Sequence, residues 1–140
     1  MKYTAFVPAR SGSKRLPGKN VKLLAGKPMV VWTLEAFVNS DKVDEVIFST
    51  DSSEYWEIVK EYIKSDKLIL DFRSLEEAGD TIKIFDYLKN ENQKIFGNKN
   101  GVFILALPTA PLRKTIHINE AIDLHEAQEK PVFSAVQYGF

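Results

Sequence analysis

The sequence predicts an α/β fold in which a mostly parallel sheet carries helices on both faces. Two observations lead to this prediction: short strands that are apolar along their length, and amphipathic helices that alternate with them. A third agrees, because each unusual polar motif directly follows one of the strands. These motifs occupy residues 9–20, 49–51 and 108–113. In parallel sheets ligands bind at the carboxyl ends of the strands, where such loops meet.

The first strand and helix frame a long loop. A short apolar run ending at a proline predicts a buried strand over Tyr3–Pro8. Pro28 suits the first turn of a helix that continues to Asn39-Ser40. The apolar residues that recur there at helical spacing are Met29, Val30, Leu34, Phe37 and Val38.

The next elements repeat the alternation. Val46–Phe48 is the second predicted strand, and Ser52 or Ser53 is expected to cap the helix that follows. The residues expected to share the inward face of this helix are Trp56, Val59, Tyr62 and Ile63. Leu68–Phe72 is the third predicted strand.

The second half is predicted to contain two more helices and two more strands. We expect a helix over Thr81–Lys94, a strand over Val102–Leu107, a helix over His117–Glu129 and a final strand over Val132–Val136. The residues expected to face inward are Ile82, Phe85 and Leu88 in the first helix, and Ile118, Ala121, Ile122 and Leu124 in the second. Since neither a polar tail nor a closing helix follows the final strand, the sequence favours the front part of a longer domain.

Length and composition indicate a single soluble domain. The 140 residues contain no cysteine, which excludes disulfide scaffolds and cysteine-based zinc sites and favours a reducing compartment. The apolar runs fall short of the roughly 20 residues that a membrane span needs, and Arg10 interrupts the first of them too early for a signal peptide. We therefore expect a cytoplasmic protein without a membrane partner.

Charge is distributed unevenly although the formal net charge is zero. The first carboxylate of the chain is Glu35. The cations that precede it are Lys2, Arg10, Lys14, Arg15, Lys19, Lys22 and Lys27. A local excess of this kind predicts an anion-binding site rather than a basic surface for nucleic acid.

The loop VPARSGSKRLPGKN, residues 7–20, is the centre of this excess. Ser11-Gly12-Ser13 could direct several backbone N–H groups toward one point, forming a nest for phosphate oxygens, and Lys14, Arg15 and Lys19 could then close around a polyphosphate. The alternative is a solvated, lysine-rich surface loop. The loop fits neither a Walker A motif nor the Rossmann glycine pattern.

Several motifs resemble, in order, those of the sugar-activating cytidylyltransferases, and most closely those of the acylneuraminate cytidylyltransferases (CMP-sialic acid synthetases and their relatives). The first family motif, A-R-x-x-S-K-x-x-x-x-K-N, is filled by Ala9, Arg10, Ser13, Lys14, Lys19 and Asn20. The further similar stretches are Gly26-Lys27-Pro28, Ser49-Thr50-Asp51, Arg73 to Thr81, and Pro108 to Arg113, which resembles the family's P-T-S-P-L-R. A sister branch acting on the octulosonic acid KDO also carries R-L-P-G-K, but Asn20 and Thr109 favour the acylneuraminate side.

The resemblance implies a fold, a reaction and a set of residues. The fold would be nucleotide-diphospho-sugar transferase-like, a Rossmann-like three-layer arrangement, with residues 1–140 as a single nucleotidyltransferase domain that is truncated relative to the family's. The reaction would transfer a cytidylyl group from CTP to a nonulosonic, sialic-acid-like sugar acid and release pyrophosphate. Lys19 and Arg10 would be catalytic. The residues implied in nucleotide binding are Arg10, Ser13, Lys14, Lys19, Asn20, Arg73, Thr81 and Thr109, and Arg113 is the candidate for substrate contact.

Three departures from the family pattern keep an alternative open. Leu107 replaces the usual glutamine and Ala110 the usual serine, so hydrogen-bonding groups are lost on the substrate side. The carboxylates that hold Mg²⁺, and the segment that forms the family's homodimer, belong to a second half that this sequence does not include, so no metal ligand is assigned here. The alternative is a non-catalytic nucleotide-binding or interaction module derived from the family.

Other candidates have a structural interpretation beside the functional one. Asp51 could reach a metal or ribose or cap the next helix, and Asp80 suits a helix cap better than catalysis. His117 and His125 lack the spacing of metal ligands and are expected on a helix surface. Trp32 and Trp56 are expected to pack on apolar helix faces.

Overall fold

A computed structural model describes residues 2–13, 15–79, 83–97 and 101–137. Within these ranges the strands are β1 (Lys2–Pro8), β2 (Leu23–Leu24), β3 (Lys27–Pro28), β4 (Glu45–Thr50), β5 (Leu68–Phe72) and β6 (Gly101–Leu105). The α-helices are α1 (Met29–Val38), α2 (Ser53–Tyr62), α3 (Ile84–Asn90), α4 (Asn92–Phe96) and α5 (Thr115–Gln128), and a 3₁₀ turn covers Lys19–Val21.

The main sheet has four strands in the order β5-β4-β1-β6. All three strand pairs are parallel. In this register Val7 lies beside Phe48, and Phe48 lies beside Leu70. Parallel neighbours require a crossover connection, and helices supply it. The predicted parallel α/β arrangement is therefore confirmed.

Helices cover both faces of the sheet. The larger apolar cluster joins strand residues such as Val7 and Phe48 to Leu34 of α1, Val59 of α2 and Ile118 of α5. The smaller cluster lies on the opposite face. Its buried members are Phe6, Ile47, Tyr87, Ile95 and Phe96. The central strand β1 contributes to both clusters, as a strand buried on two sides must.

A two-stranded hairpin that the sequence did not reveal separates the basic loop from α1. Strands β2 and β3 pair antiparallel, and Ala25 and Gly26 between them both have positive φ, 49° and 84°. A tight hairpin turn requires such angles, and glycine adopts them without strain. The Trp32 indole N–H donates to the Leu24 carbonyl at 2.7 Å, which fastens the hairpin to α1. Pro28 ends β3 and is the N-cap of α1, so it precedes the first turn of the helix instead of belonging to it as predicted.

The single helix predicted over Thr81–Lys94 is wrong in its described part. The chain forms α3, turns at Glu91, and forms α4. Phe85, expected to face inward, is 71% exposed. Ile84, Tyr87 and Leu88 share the helical face that packs on the smaller cluster, and Phe85 points away from that face. Ile82, which was also predicted to face inward, lies outside the described residues.

Three inward-facing assignments on other helices are also wrong. In α2 the buried positions are Tyr55, Val59 and, just beyond the helix, Ile63, so Tyr62 is turned outward and is 40% exposed. In α5 only Ile118 and Ile122 are buried. Ala121 and Leu124 lie off that narrow stripe and are exposed.

The final strand predicted over Val132–Val136 does not form. Residues 131–137 have no regular secondary structure, and Phe133 and Val136 are each 85% exposed. A β-branched run becomes a strand only when a neighbouring strand accepts its hydrogen bonds, and β6 pairs with β1 alone in the described sheet. Leu107, predicted within β6, lies two residues beyond its end. Among the described helices none is long and apolar enough to cross a membrane.

The core assignment predicts unequal effects for two phenylalanines. Phe48→Ala should lower the free energy of unfolding by about 3–5 kcal/mol, because it removes a fully buried ring from the centre of the sheet. Phe85→Ala, at the exposed position, should change it by less than about 0.5 kcal/mol. Urea unfolding followed by circular dichroism measures both, and equal losses would contradict the assignment.

Candidate functional site at the carboxyl edge of the sheet

The predicted site residues converge at one edge because the strands are parallel. Arg73 follows β5, Asp51 follows β4, Arg10 follows β1, and Thr109 lies in the turn after β6. Neighbouring strands lie about 4.8 Å apart, so Arg73 is displaced from the end of β1 by two strand spacings, roughly 10 Å.

Asp51 anchors the start of the basic loop. Its Oδ1 accepts the Ser11 backbone N–H at 2.8 Å, and its Oδ2 accepts the Ser11 hydroxyl at 2.6 Å. The two contacts join the ends of β4 and β1 across 40 positions of sequence. Of the roles weighed for Asp51, that of helix cap is wrong, because Ser52 caps α2 by accepting the Tyr55 N–H at 3.1 Å.

Asn20 closes the other end of the loop. This side chain is 6% exposed and donates its amide N–H to the Arg10 carbonyl at 3.1 Å. Gly18, in the left-handed region with φ of 67°, reverses the chain just before the 3₁₀ turn. The segment is therefore tied back on itself with Arg10 at its base. The half-buried side chains of Ser13 and Lys19 also belong to this loop.

The simple phosphate nest predicted for Ser11-Gly12-Ser13 is not formed. The Ser11 N–H is taken by Asp51, and the Ser13 N–H donates to the Ser11 carbonyl at 3.0 Å. Both groups are satisfied within the protein, so the capacity of the loop to bind an anion depends on its cationic side chains. Lys14 lies outside the described residues.

Ser49 connects the loop to Arg73. Its backbone carbonyl accepts the Ala9 N–H at 2.8 Å and the Arg73 Nη2–H at 3.2 Å. Its hydroxyl donates to Asp71 Oδ2 at 2.7 Å. Ser49 is fully buried, so the ends of β1, β4 and β5 are held together by one internal polar residue.

Arg73 is an unusual arginine because it is only 5% exposed. Burial lowers its pKa, partly offset by nearby Tyr87, Asp51 and Asp71. Its Nε–H is buried and has no acceptor within the described ranges. A guanidinium held away from water with a donor unused is suited to an oxygen acceptor of a ligand.

Asp71 and Tyr87 complete this buried group, and sequence reasoning missed both. The Tyr87 hydroxyl donates to Asp71 Oδ2 at 2.8 Å, and its ring centroid lies 5.5 Å from the Arg73 guanidinium carbon. Burial, followed by the Asp71 contact, raises the pKa of Tyr87 far above its ordinary value. The signal available in the sequence was an aspartate within the predicted strand Leu68–Phe72, two residues before a candidate arginine.

Three further predicted site residues are Thr109, Thr81 and Arg113. Thr109 is exposed in the turn after β6. Thr81 lies outside the described residues, as does Asp80. Arg113 lies apart from the basic loop, since its guanidinium carbon is 5.9 Å from the ring of Phe37, near the end of α1 opposite to Met29. Burial lowers the Arg113 pKa, and its Nη1 has no acceptor in the described part of the chain.

The histidines and tryptophans have structural positions. The exposed His117 accepts the Lys114 N–H through Nδ1 at 3.0 Å, and His125 bonds the Lys130 carbonyl through Nδ1 at 2.7 Å. Trp56 stacks on Phe48 with ring centroids 6.3 Å apart. The placements of the histidines and of Trp56 agree with the surface and packing roles expected for them, whereas Trp32 lies outside both apolar clusters, with Lys27 Nζ 4.0 Å from its ring centroid.

No metal centre marks the edge in the described chain. Among residues 2–13, 15–79, 83–97 and 101–137, no three His, Asp or Glu side chains are grouped to hold a metal ion. A depression of about 540 Å³ lies at the opposite, amino edge, between Tyr3, Gly101 and His125. The candidate site is instead an open rim defined by charge and buried polar contacts.

Comparison with known proteins decides the family. A family model described as cytidylyltransferase matches residues 4–137, which includes β4, β5 and β6 in full and β1 from Thr4 onward. The chain belongs to the cytidylyltransferase family.

Curated relatives of this cytidylyltransferase chain are longer proteins. It is 35% identical over 136 residues to the CMP-N,N'-diacetyllegionaminic acid synthase of Legionella pneumophila, covering 96% of this chain and 57% of that protein. It is 38% identical over 129 residues to an N-acylneuraminate cytidylyltransferase of Escherichia coli, covering 92% of this chain and 29% of that protein. The chain thus spans little more than half of the first relative and under a third of the second.

Solved structures support the fold. The CMP:2-keto-3-deoxy-manno-octonic acid synthetase complexed with CTP superposes with a TM-score of 0.71 at 23% identity, covering 92% of this chain and 49% of that one. A Mycobacterium tuberculosis protein in complex with manganese superposes with a TM-score of 0.62 at 16% identity, covering 91% of this chain and 61% of that one. At these identities the likeness concerns the fold, which is that of the nucleotide-diphospho-sugar transferases.

The anchoring role of Asp51 predicts a local effect. Asp51→Asn should accelerate hydrogen exchange of the Ser11 amide by about tenfold or more, because a charge-assisted hydrogen bond is weakened. The matched control is Asp41→Asn, at an exposed position, and it should leave Ser11 unchanged. Exchange measured by nuclear magnetic resonance would contradict the role if Ser11 exchanged equally fast in all three proteins.

Proposed function

We propose that this chain binds CTP and forms the nucleotide-binding part of an enzyme that transfers a cytidylyl group to a nonulosonic, sialic-acid-like sugar acid. The observation that carries the proposal is the family match over residues 4–137, together with the cationic loop at the edge where parallel sheets bind ligands. The names of the relatives support the sugar class, since they act on legionaminic and N-acylneuraminic acids.

The loop supplies charge for the triphosphate. Arg10, Ser13, Lys14 and Lys19 would contact its oxygens, and Asn20 would fix the position of Arg10 through the carbonyl contact already described. Fixed cations stabilise the charge that develops as a diphosphate departs. Arg10 and Lys19 are therefore the residues proposed to act in catalysis.

Arg73, Thr81 and Thr109 would contact the nucleoside. Arg73 offers a buried N–H donor, and its Nη2 shares the Ser49 carbonyl with the Ala9 N–H at the start of the loop. Triphosphate at the end of β1 and nucleoside toward β5 would then lie along one edge. Arg113 is proposed to contact the sugar acid or a neighbouring carboxylate, although it packs on Phe37.

The reaction joins a sugar hydroxyl to the α-phosphorus of CTP. A new oxygen–phosphorus bond forms, the bond to the departing pyrophosphate breaks, and the hydroxyl proton is released. Family members use a divalent ion such as Mg²⁺, but the described residues offer no ligand group for one, so no step is assigned to it here. The proposal places this chemistry in the cytoplasm, in a homodimer completed by the remainder of the enzyme.

A non-catalytic nucleotide-binding module is the second candidate. Leu107 and Ala110, which replace the hydrogen-bonding glutamine and serine of the family pattern, are the observations behind it. Pyrophosphate release from CTP with a panel of sugar acids and Mg²⁺ separates the candidates. Turnover by this chain alone would eliminate the non-catalytic one.

The phosphate role predicts a specific loss of affinity. Lys19→Ala should weaken CTP binding about tenfold, because one charge-assisted contact to the triphosphate is removed. Lys64→Ala, which removes an exposed lysine at the end of α2, should change it less than about twofold. Calorimetric titration measures both, and either equal losses or no CTP binding by the unaltered, folded chain would contradict the proposal.

A further inference from the structure

The polar group beneath Arg73 contains two opposite charges that are both buried. Arg73 is 5% exposed and Asp71 is 8% exposed. They stand two residues apart along one extended segment, so their side chains leave it on the same face. A buried cation needs a nearby anion or dipole to offset its lost hydration, yet within the described residues Arg73 makes no ion pair with any carboxylate.

Tyr87 lies between the two charges. Its hydroxyl donates to Asp71 Oδ2 at 2.8 Å, while the face of its ring is 5.5 Å from the Arg73 guanidinium carbon. An aromatic face attracts a cation, more strongly where water is excluded. One side chain therefore satisfies the carboxylate and cradles the guanidinium, which keeps the two from pairing directly.

The remaining contacts orient the Arg73 side chain but leave one of its N–H donors without an acceptor. Nη2 donates to the Ser49 carbonyl at 3.2 Å, and the Arg73 backbone N–H donates to the Thr50 carbonyl at 2.8 Å. Asp71 Oδ2 also accepts the Ser49 hydroxyl. On the opposite side Lys94 approaches Asp71 Oδ1 at 3.8 Å. The buried Arg73 Nε–H lacks an acceptor in the described ranges.

We propose that Tyr87, held by Asp71, is a positioning residue that keeps the Arg73 guanidinium turned toward the nucleoside of CTP. The inference rests on the proposed function. Without the Tyr87 hydroxyl, Asp71 keeps the Ser49 hydroxyl and the more exposed Lys94 but loses a buried donor, and Arg73, the buried cation two residues along the chain, can take that place. The guanidinium would then turn to the carboxylate, and the donor offered to the nucleoside would be withdrawn.

The test compares two ligands that share the phosphate site. Tyr87→Phe keeps the ring and removes the hydroxyl, so CTP binding should weaken about tenfold, while binding of inorganic triphosphate, which reaches only the basic loop, should change less than about twofold. The matched control is Tyr3→Phe. Tyr3 is another buried tyrosine whose hydroxyl donates to a carboxylate, that of Glu126 at 3.1 Å, but it lies at the opposite edge of the sheet. It should alter neither affinity.

A double-variant cycle separates positioning from general packing. In an Arg73→Gln background, Tyr87→Phe should leave CTP affinity within about twofold, because its effect passes through Arg73. Calorimetry on the full chain, with thermal unfolding of each variant, gives these values. Should Tyr87→Phe not fold, it is combined with Asp71→Asn, which removes the carboxylate that would capture Arg73. CTP affinity should then stay within about twofold of that of the unaltered chain, and a loss of about tenfold would overturn the role of Tyr87.

The outcomes distinguish this inference from the proposal on which it rests. If the unaltered chain binds no CTP, both are overturned. If the unaltered chain binds CTP but Tyr87→Phe binds it equally well, loses CTP and triphosphate affinity to the same extent, or acts independently of Arg73, only the role of Tyr87 is overturned.

Discussion

The parallel pairing of β1 with β4 on one side and β6 on the other is the constraint on which the candidate site depends. Because all strands run in one direction, the residues that follow them are delivered to one edge. The apolar residues of β1 are buried on both faces, which fixes this alignment energetically. A slip of one position would exchange the faces of Phe6 and Val7 and expose part of each cluster.

The apolar core aligns the strand ends, and hydrogen bonds then fix the loops that follow them. Asp51 holds Ser11, Asn20 holds the Arg10 carbonyl, and the Ser49 carbonyl accepts from both Ala9 and Arg73. The Asp51 and Ser49 contacts cross from one strand end to another, and the Asn20 contact closes the loop on itself. Preorganisation of this kind reduces the cost of ordering a loop when an anion binds, which explains how a lysine-rich segment can be a site rather than a solvated surface.

The sequence was sufficient for the fold class and for the edge of the sheet at which the polar motifs gather, for physical reasons. Strands that are apolar throughout can be satisfied only in a doubly covered sheet, and a polar motif at the end of such a strand has only one edge to occupy. The local sequence pattern was insufficient where the burial of a side chain or the formation of a strand depends on residues distant in the sequence. Phe85 and Tyr62 fit an apolar helical pattern, yet neighbouring residues took the core positions. Val132–Val136 has strand-forming residues without a pairing strand in the described sheet.

The polar network of Ser49, Asp71 and Tyr87 could not be predicted from the sequence pattern either. Ser49 and Asp71 meet because they are register partners on adjacent strands, and Tyr87 joins them from a helix 16 positions beyond Asp71. The most direct test of the account is amide hydrogen exchange across the whole chain with and without CTP. Slower exchange in residues 9–20 and 71–73, and not at the amino edge, is the result the account predicts. Unchanged exchange in both segments at saturating CTP, or protection confined to the amino edge near Tyr3, would contradict it.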